Sequence, residues 1–442
     1  MTKTKHTPVR RTGPAHVTRM DRRAFLATGG AALGATTLGM PRRARAQGRT
    51  EISFASASFF GSETFGDLVD SFNESQDRVM VRYLELPPPS SSTEVYQGLV
   101  QQLARGNGTP DVFSQDVIWI AGMAAAGWAL PLDEFVDDAM TSQYFEGTLA
   151  ACKWDGKLTA LPWFMDTGMM YHRTDLVEKH GGTVPTTWAE MAKMGKAAQE
   201  AGDAEFGFVW QGKQAEVLVC DAVEAIASNN GAILSEDGRS SRIGDAEAIE
   251  AIQFLHDTIN ELQISPSDVL SWDEEPSRQV FTNGQSMFLR NWSYVWPIAQ
   301  DPSVSEVVDK VGAGPLPHFE GGSSASTLGG YQLGMNANTS DRDAAWEFMS
   351  WMSAPEQQKR IALNFGLGPS RPALFDDAQI NEEQPFMATL RPVFTGATAR
   401  PVTPEYAKVT LALQSGISKA LVNGRVEQEM KALSSQLDGI VG

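Results

Sequence analysis

The side chains with the most chemical promise are carboxylates and aromatic rings set close together. Asp166 lies in Pro162-Trp163-Phe164-Met165-Asp166-Thr167-Gly168, an acid among apolar neighbours. A buried carboxylate must be paired or hydrogen-bonded. Asp166 therefore reads either as half of a structural ion pair or as an acceptor for a bound molecule, and Trp163 beside it offers a flat face. Asp116 follows the short strand expected at Asp111–Phe113, where an acid caps a helix or meets a ligand. Arg290-Asn291-Trp292-Ser293-Tyr294-Val295-Trp296 gathers guanidinium, amide, indole and phenol, or alternatively reads as a buried strand entering a helix. Gly329-Gly330-Tyr331 allows close backbone approach, or is simply a turn. Carboxylates, amides and Arg supply directional hydrogen bonds, and indoles and phenols supply stacking faces. Paired carboxylates can also act as general acid and nucleophile.

Other chemistries find little support. Beyond residue 46 there are four histidines, 172, 180, 256 and 318, none in an H-E-x-x-H arrangement. No phosphate loop, G-x-S-x-G elbow or calcium loop occurs, so neither a metal nor a cofactor is expected. A net charge of −18 argues against nucleic acid as a partner, because phosphate binding needs clustered Lys and Arg. Cys152 and Cys220 are too few for a disulfide scaffold, although a single bridge between them is conceivable in an oxidising compartment. The 11 tryptophans exceed what one site needs, so most are expected in the core.

The elements that must position these groups alternate between strand and helix. Glu51–Ala57 alternates apolar and polar residues, and Phe65, Leu68, Val69 and Phe72 then recur on one helical face. Val79–Leu86 is a second strand, Tyr96, Leu99, Val100 and Leu103 mark a second helix, and Asp111–Phe113 is a third strand. This β-α-β-α-β order predicts a parallel sheet with right-handed crossovers. Thr187-Trp188-Ala189-Glu190 is a capping box. Gly366 is placed to cap the helix Glu356–Asn364, and Glu236–Ser240 reads as a tight turn between short strands. The 442 residues, 42% hydrophobic and 20% charged, suffice for two or three domains, and no stretch reads as a transmembrane helix.

Charge is uneven along the chain. Residues 1–46 carry ten Lys or Arg against the single acid Asp21, which leaves about −27 on the remainder. Arg22-Arg23-Ala24-Phe25-Leu26 opens a weakly apolar run, and Ala44-Arg45-Ala46 has the small-x-small form of a cleavage site. Residues 1–46 are thus expected to be a twin-arginine-type signal peptide. With no cysteine near the cleavage point, the product is expected to be soluble in the periplasm and free of a lipid anchor.

Several stretches then resemble one family, in order along most of the chain. They are Gly108-Thr109-Pro110-Asp111-Val112-Phe113, Trp119, Ala126-Gly127-Trp128-Ala129-Leu130 and Pro131-Leu132-Asp133. Further on come Trp154–Pro162, Gly168–Leu176, Val184-Pro185-Thr186-Thr187-Trp188, Phe281–Met287 and Gly329–Gly334. Together they resemble the extracellular solute-binding proteins of carbohydrate ABC importers, particularly the trehalose/maltose-binding branch. His172 departs from the pattern, since many relatives carry Asn or Tyr there.

The resemblance implies an α/β fold of the two-lobed periplasmic binding protein type, with an interlobe ligand cleft and a hinge. Residues 48–165 with 317–368 would form the N-terminal lobe, and 169–313 with 369–442 the C-terminal lobe. It implies a monomeric, non-enzymatic receptor that binds a disaccharide or related glucoside by hinge closure and serves an inner-membrane ABC permease. The alternatives are a receptor for a monosaccharide or polyol, or a glycosidase using cleft carboxylates. By the same resemblance the sugar would meet Glu63, Asp116 and Asp166, stack on Trp163 and Trp292, and bond to Asn291 or Tyr294. Gly329, Gly330, Tyr331 and Arg400 would complete the site, with Arg371 a weaker alternative to Arg400.

Overall fold

The computed structural model describes residues 48–59 and 64–442. The expected signal peptide and Glu63 lie outside these residues. The chain opens with strands β1 (Thr50–Ala57), β2 (Val79–Leu86) and β3 (Val112–Asp116), separated by the helices Phe65–Ser75 and Ser92–Leu103. A small hairpin of β4 (Lys153–Trp154) and β5 (Lys157–Leu158) precedes β6 (Phe164–Thr167) and β7 (Met169–Arg173). Then follow β8 (Phe206–Val209), β9 (Ser286–Asn291), β10 (Val311–Gly314), β11 (Ser326–Gly329) and β12 (Tyr331–Met335), and finally β13 (Gly368–Pro369) and β14 (Ala397–Thr398).

Three four-stranded sheets organise the described residues. The first has the order β12-β3-β1-β2, with β1 parallel to both β2 and β3 as the alternation predicts. The second is β10-β7-β9-β8, and the third, made of very short strands, is β13-β6-β11-β14. The first sheet sits in an apolar core drawn from residues between Ile52 and Phe164 and between Tyr331 and Leu367. The second sheet is packed by separate clusters, one of them with the helix Glu216–Ser228 and the C-terminal helices Tyr406–Asn423 and Val426–Val441. Leu316 and Phe319 belong to that second side. The chain therefore returns to the first sheet through β11 and β12, later than the 313–317 expected from the sequence.

The third sheet joins the other two through single glycines. Gly168 alone separates β6 from β7 of the second sheet, and Gly330 alone separates β11 from β12 of the first. At Gly330 the backbone has φ +103°, and a Cβ would stand 2.5 Å from the Phe164 carbonyl oxygen. At Gly168 a Cβ would collide with the buried pair Glu224 and Arg290. Glycine is the residue that meets both demands, a left-handed turn in one place and a close approach in the other.

Local signals read from the sequence are present. Thr187 and Glu190 form the reciprocal capping box of the helix Trp188–Glu200, and Gly366 terminates Pro355–Phe365 in the left-handed conformation. The turn at Glu236–Ser240 is flanked by a single bridge, Leu234 to Ser241, rather than by strands. Cys152 and Cys220 are both free thiols, buried in different parts of the fold. The conceivable disulfide is not formed. Among the described residues no helix is long and apolar enough to cross a membrane, and no cluster of His, Cys, Asp and Glu could hold a metal ion.

Candidate functional site

A cavity opens where the two large cores meet the third sheet, with about 930 Å³ of empty space when the open solvent at its mouth is included. Sheet register gathers much of its wall. Asp116, the last residue of β3, is the cross-strand partner of Tyr331, the first residue of β12. Asp166 on β6 is the partner of Gly329 on β11. Arg400 follows β14 by two residues. Asp116, Asp166, Trp292, Tyr294, Gly329, Gly330, Tyr331 and Arg400 all line the cavity.

Hydrogen-bond accounting separates the carboxylates. On Asp166, Oδ1 accepts from the Thr167 amide at 2.8 Å, the Ser293 amide at 3.1 Å and the Ser293 hydroxyl at 2.8 Å. The Oδ2 atom takes none of these bonds. No basic side chain pairs with Asp166 among the described residues, so the structural ion pair is not what holds it. Burial raises its pKa to about 6, against the lowering effect of the Ser293 and Thr167 bonds. On Asp116, Oδ1 accepts from the Ile118 amide at 3.2 Å and from Arg400 Nη2 at 2.9 Å. Asp116 is thus both a helix cap and part of the cavity wall. Burial raises its pKa, and Arg400 opposes the rise.

Two acids missed in the sequence stand nearby. Glu274 opens the helix Glu274–Thr282; its Oε1 accepts from the Trp292 indole at 3.4 Å, while Oε2 is buried without a partner. Glu275 is committed to protein, accepting from the Tyr294 hydroxyl at 2.7 Å and pairing with Arg278 at 2.7 Å. Asp116, Asp166 and Glu274 therefore each keep one oxygen outside these bonds. Phe59, Phe164 and Phe365 add apolar wall, and the Tyr331 hydroxyl is buried with no partner.

Trp292 is half-buried, and its ring lies over the Arg290 guanidinium at 4.3 Å. Arg290 is in turn held by Glu224, with Nε 2.6 Å from Oε2, and by Asp221 at 3.6 Å. A charged group thus supports the indole, which also lines the cavity. A Cβ at Gly329 would come within 3.1 Å of the Trp292 ring, so glycine makes room for the platform.

Three expected site residues stand elsewhere. Trp163 is fully buried in the first core, against Phe54, Phe65 and Phe164, and is absent from the cavity wall. Phe164 and Asp166 line the cavity from β6, whereas Trp163 stands one residue before that strand and is enclosed by the rings of the first core. Asn291 is also fully buried. Its Oδ1 accepts from the Trp292 amide at 2.8 Å and its Nδ2 donates to the Glu274 carbonyl at 3.0 Å, and it is not among the residues lining the cavity. Arg371 is engaged away from the cavity by the Ser353 carbonyl at 2.9 Å and the Tyr144 hydroxyl at 2.8 Å.

Two α/β bodies bridged by short strands, with a cavity of carboxylates and aromatic faces at their junction, make a two-lobed binding protein. The chain belongs to the bacterial extracellular solute-binding protein family, whose pattern matches residues 85–359. It is 32% identical over 372 residues to a probable ABC transporter-binding protein of Deinococcus radiodurans, covering 82% of this chain and 87% of the relative. A maltotriose-binding protein of Pyrococcus abyssi is 24% identical over 318 residues, covering 71% of this chain and 66% of that one. Among solved structures, maltose-bound T. maritima MalE3 superposes with a TM-score of 0.82 at 34% identity, covering 88% of this chain and 99% of the other. A solute-binding protein of Agrobacterium radiobacter in complex with ribitol shares the fold at TM-score 0.78 and 20% identity, covering 88% and 98%.

Proposed function

We propose that this protein is a periplasmic receptor that binds a neutral disaccharide or related glucoside and delivers it to an inner-membrane ABC permease. It acts as a monomer without catalysing a reaction, after export by its twin-arginine-type signal. The lobes are residues 48–165 with the return through β12 to about 368, and the remainder from 169. The third sheet serves as the hinge, and closure follows from contacts that a ligand makes with both lobes.

One observation carries this reading. Asp116, Asp166 and Glu274 each offer an oxygen free of the protein bonds described above, beside the Trp292 face and the unpartnered Tyr331 hydroxyl. That is the complement of a molecule with many hydroxyl donors and flat apolar faces. The maltose in the MalE3 structure and the maltotriose of the P. abyssi protein support a ligand of this class. Among the described lining residues Arg400 is the single cation, and both its terminal nitrogens already bond carboxylates. An anionic sugar would therefore meet uncompensated negative charge.

A thermal-shift panel of maltose, trehalose, glucose, ribitol and glucuronate tests the proposal. A neutral disaccharide at about 100 times its Kd should stabilise the protein by about 2.7 kcal/mol, a melting shift of several degrees. Glucuronate should produce none. Stabilisation by the anion equal to that by the neutral sugars would overturn this reading, and a response to ribitol alone would shift it to polyols.

A further inference from the structure

Glu216 lines the cavity, yet its hydrogen bonds go to protein. It opens the helix Glu216–Ser228 and is 8% exposed. Its Oε1 accepts from Arg400 Nη1 at 2.8 Å and from the Tyr406 hydroxyl, and its Oε2 accepts from the Thr410 hydroxyl. The other terminal nitrogen of Arg400 reaches Asp116 at 2.9 Å. One guanidinium, 4% exposed, thus joins a residue ending a strand of the first sheet to a residue of the second core's helix. Arg400 itself stands two residues beyond the third sheet.

The guanidinium is planar, and its two terminal nitrogens are separated by fixed covalent geometry. While both bonds hold, the spacing of Asp116 and Glu216 is fixed as well. Moving the first sheet away from the helix Glu216–Ser228 must break one of them. The Glu216 arm is braced by Tyr406 and Thr410, whereas Asp116 adds only the Ile118 amide. Opening should therefore break the Asp116 arm and leave Arg400 with Glu216.

We propose that Glu216 is a positioning residue that pins the hinge-borne Arg400, so that Arg400 and Asp116 form a releasable clasp setting the cleft width before ligand arrives. The proposal rests on the hinge reading given above. It assigns Glu216, Tyr406 and Thr410 a part in closure without any contact to the ligand.

The test uses ligand-free protein, so its outcome is independent of which sugar binds. Spin labels at Asn107→Cys and Glu200→Cys, both exposed positions, report the separation of the two sides in a background whose native thiols are removed by Cys152→Ala and Cys220→Ala. Glu216→Gln keeps the shape and removes the charge; the mean label distance should lengthen by several ångström and its distribution broaden. Tyr406→Phe and Thr410→Val, which leave every charge in place, should lengthen it less, in the same direction. Combining Glu216→Gln with Asp116→Asn should add little opening beyond either change alone, because both disable one clasp. An unchanged distance in Tyr406→Phe, Thr410→Val and any folded Glu216→Gln overturns the clasp. If the clasp variants leave the distance alone but a stabilising sugar from the panel shortens it in wild type, the hinge reading survives and the clasp alone fails.

Discussion

Replacing Asp166 with Asn should weaken sugar binding roughly tenfold to a hundredfold while leaving the ligand-free protein as stable as before or slightly more so. Hydrogen bonds to a charged group contribute about 1.5–3 kcal/mol, and the substitution removes the charge from the oxygen facing the cavity. Stability should hold because the three bonds to Oδ1 come from Thr167 and Ser293, and an amide oxygen accepts them too. No ion pair is broken. The asparagine also escapes the desolvation cost that raises the Asp166 pKa to about 6. Affinity and stability should respond to pH with opposite signs. The carboxylate is ionised above about 6, so wild-type affinity should fall as pH drops from about 7.5 to about 5. Over the same interval the folded protein binds a proton that the unfolded chain does not, so the Asp166 penalty fades and wild type gains stability relative to Asp166→Asn. Titration calorimetry and melting curves of both proteins at the two pH values check each arm. Equal affinity of the two proteins at neutral pH would remove Asp166 from the ligand contacts.

Trp292→Ala should cost about 1–3 kcal/mol of binding free energy, the scale of a buried aromatic contact at an interface. Its effect on the ligand-free melting temperature should be small, since the ring is half-buried over Arg290 rather than enclosed in a core. Trp163 provides the contrast. Fully buried among Phe54, Phe65 and Phe164, it should on truncation to Ala lose about 3–5 kcal/mol of stability, with affinity retained in the folded fraction. Measuring affinity and melting for both variants separates a binding indole from a packing one. A loss of stability in Trp292→Ala with unchanged affinity would assign both tryptophans to packing.

Those two tryptophans also mark where sequence reading succeeds and stops. Residue type and local setting single out Asp166 and Tyr331, the family resemblance adds Trp292 and Arg400, and the cavity gathers all four. Trp163 looks equally suitable by type, but it lies one residue before β6 and packs into the first core against Phe54 and Phe65. Glu216 and Glu274 are different. Each looks like an ordinary acid in the first turn of a helix, a common and stabilising placement. Their roles come from partners far along the chain, Arg400 for one and the Trp292 indole for the other, and only the folded arrangement supplies those. The parallel order of β1, β2 and β3 was legible because adjacent strands and helices alternate with clear periods. The third sheet was not, because strands of two to four residues leave no pattern to read.

The two unbonded thiols give this protein its own reporters of breathing and of melting. Cys220 lies in the cavity wall, whereas Cys152 belongs to the first core, and burial pushes both thiols above the usual range. A soluble alkylating reagent should reach Cys220 whenever the cleft gapes, but Cys152 only when the surrounding core comes apart. The two alkylation rates should therefore differ in unligated wild type. A saturating sugar should slow the first sharply, and the second only as far as it stabilises the whole fold. Mass spectrometry of peptides containing each cysteine reads both rates in one time course. Equal rates with and without sugar would mean that solvent reaches the cavity wall only by global unfolding.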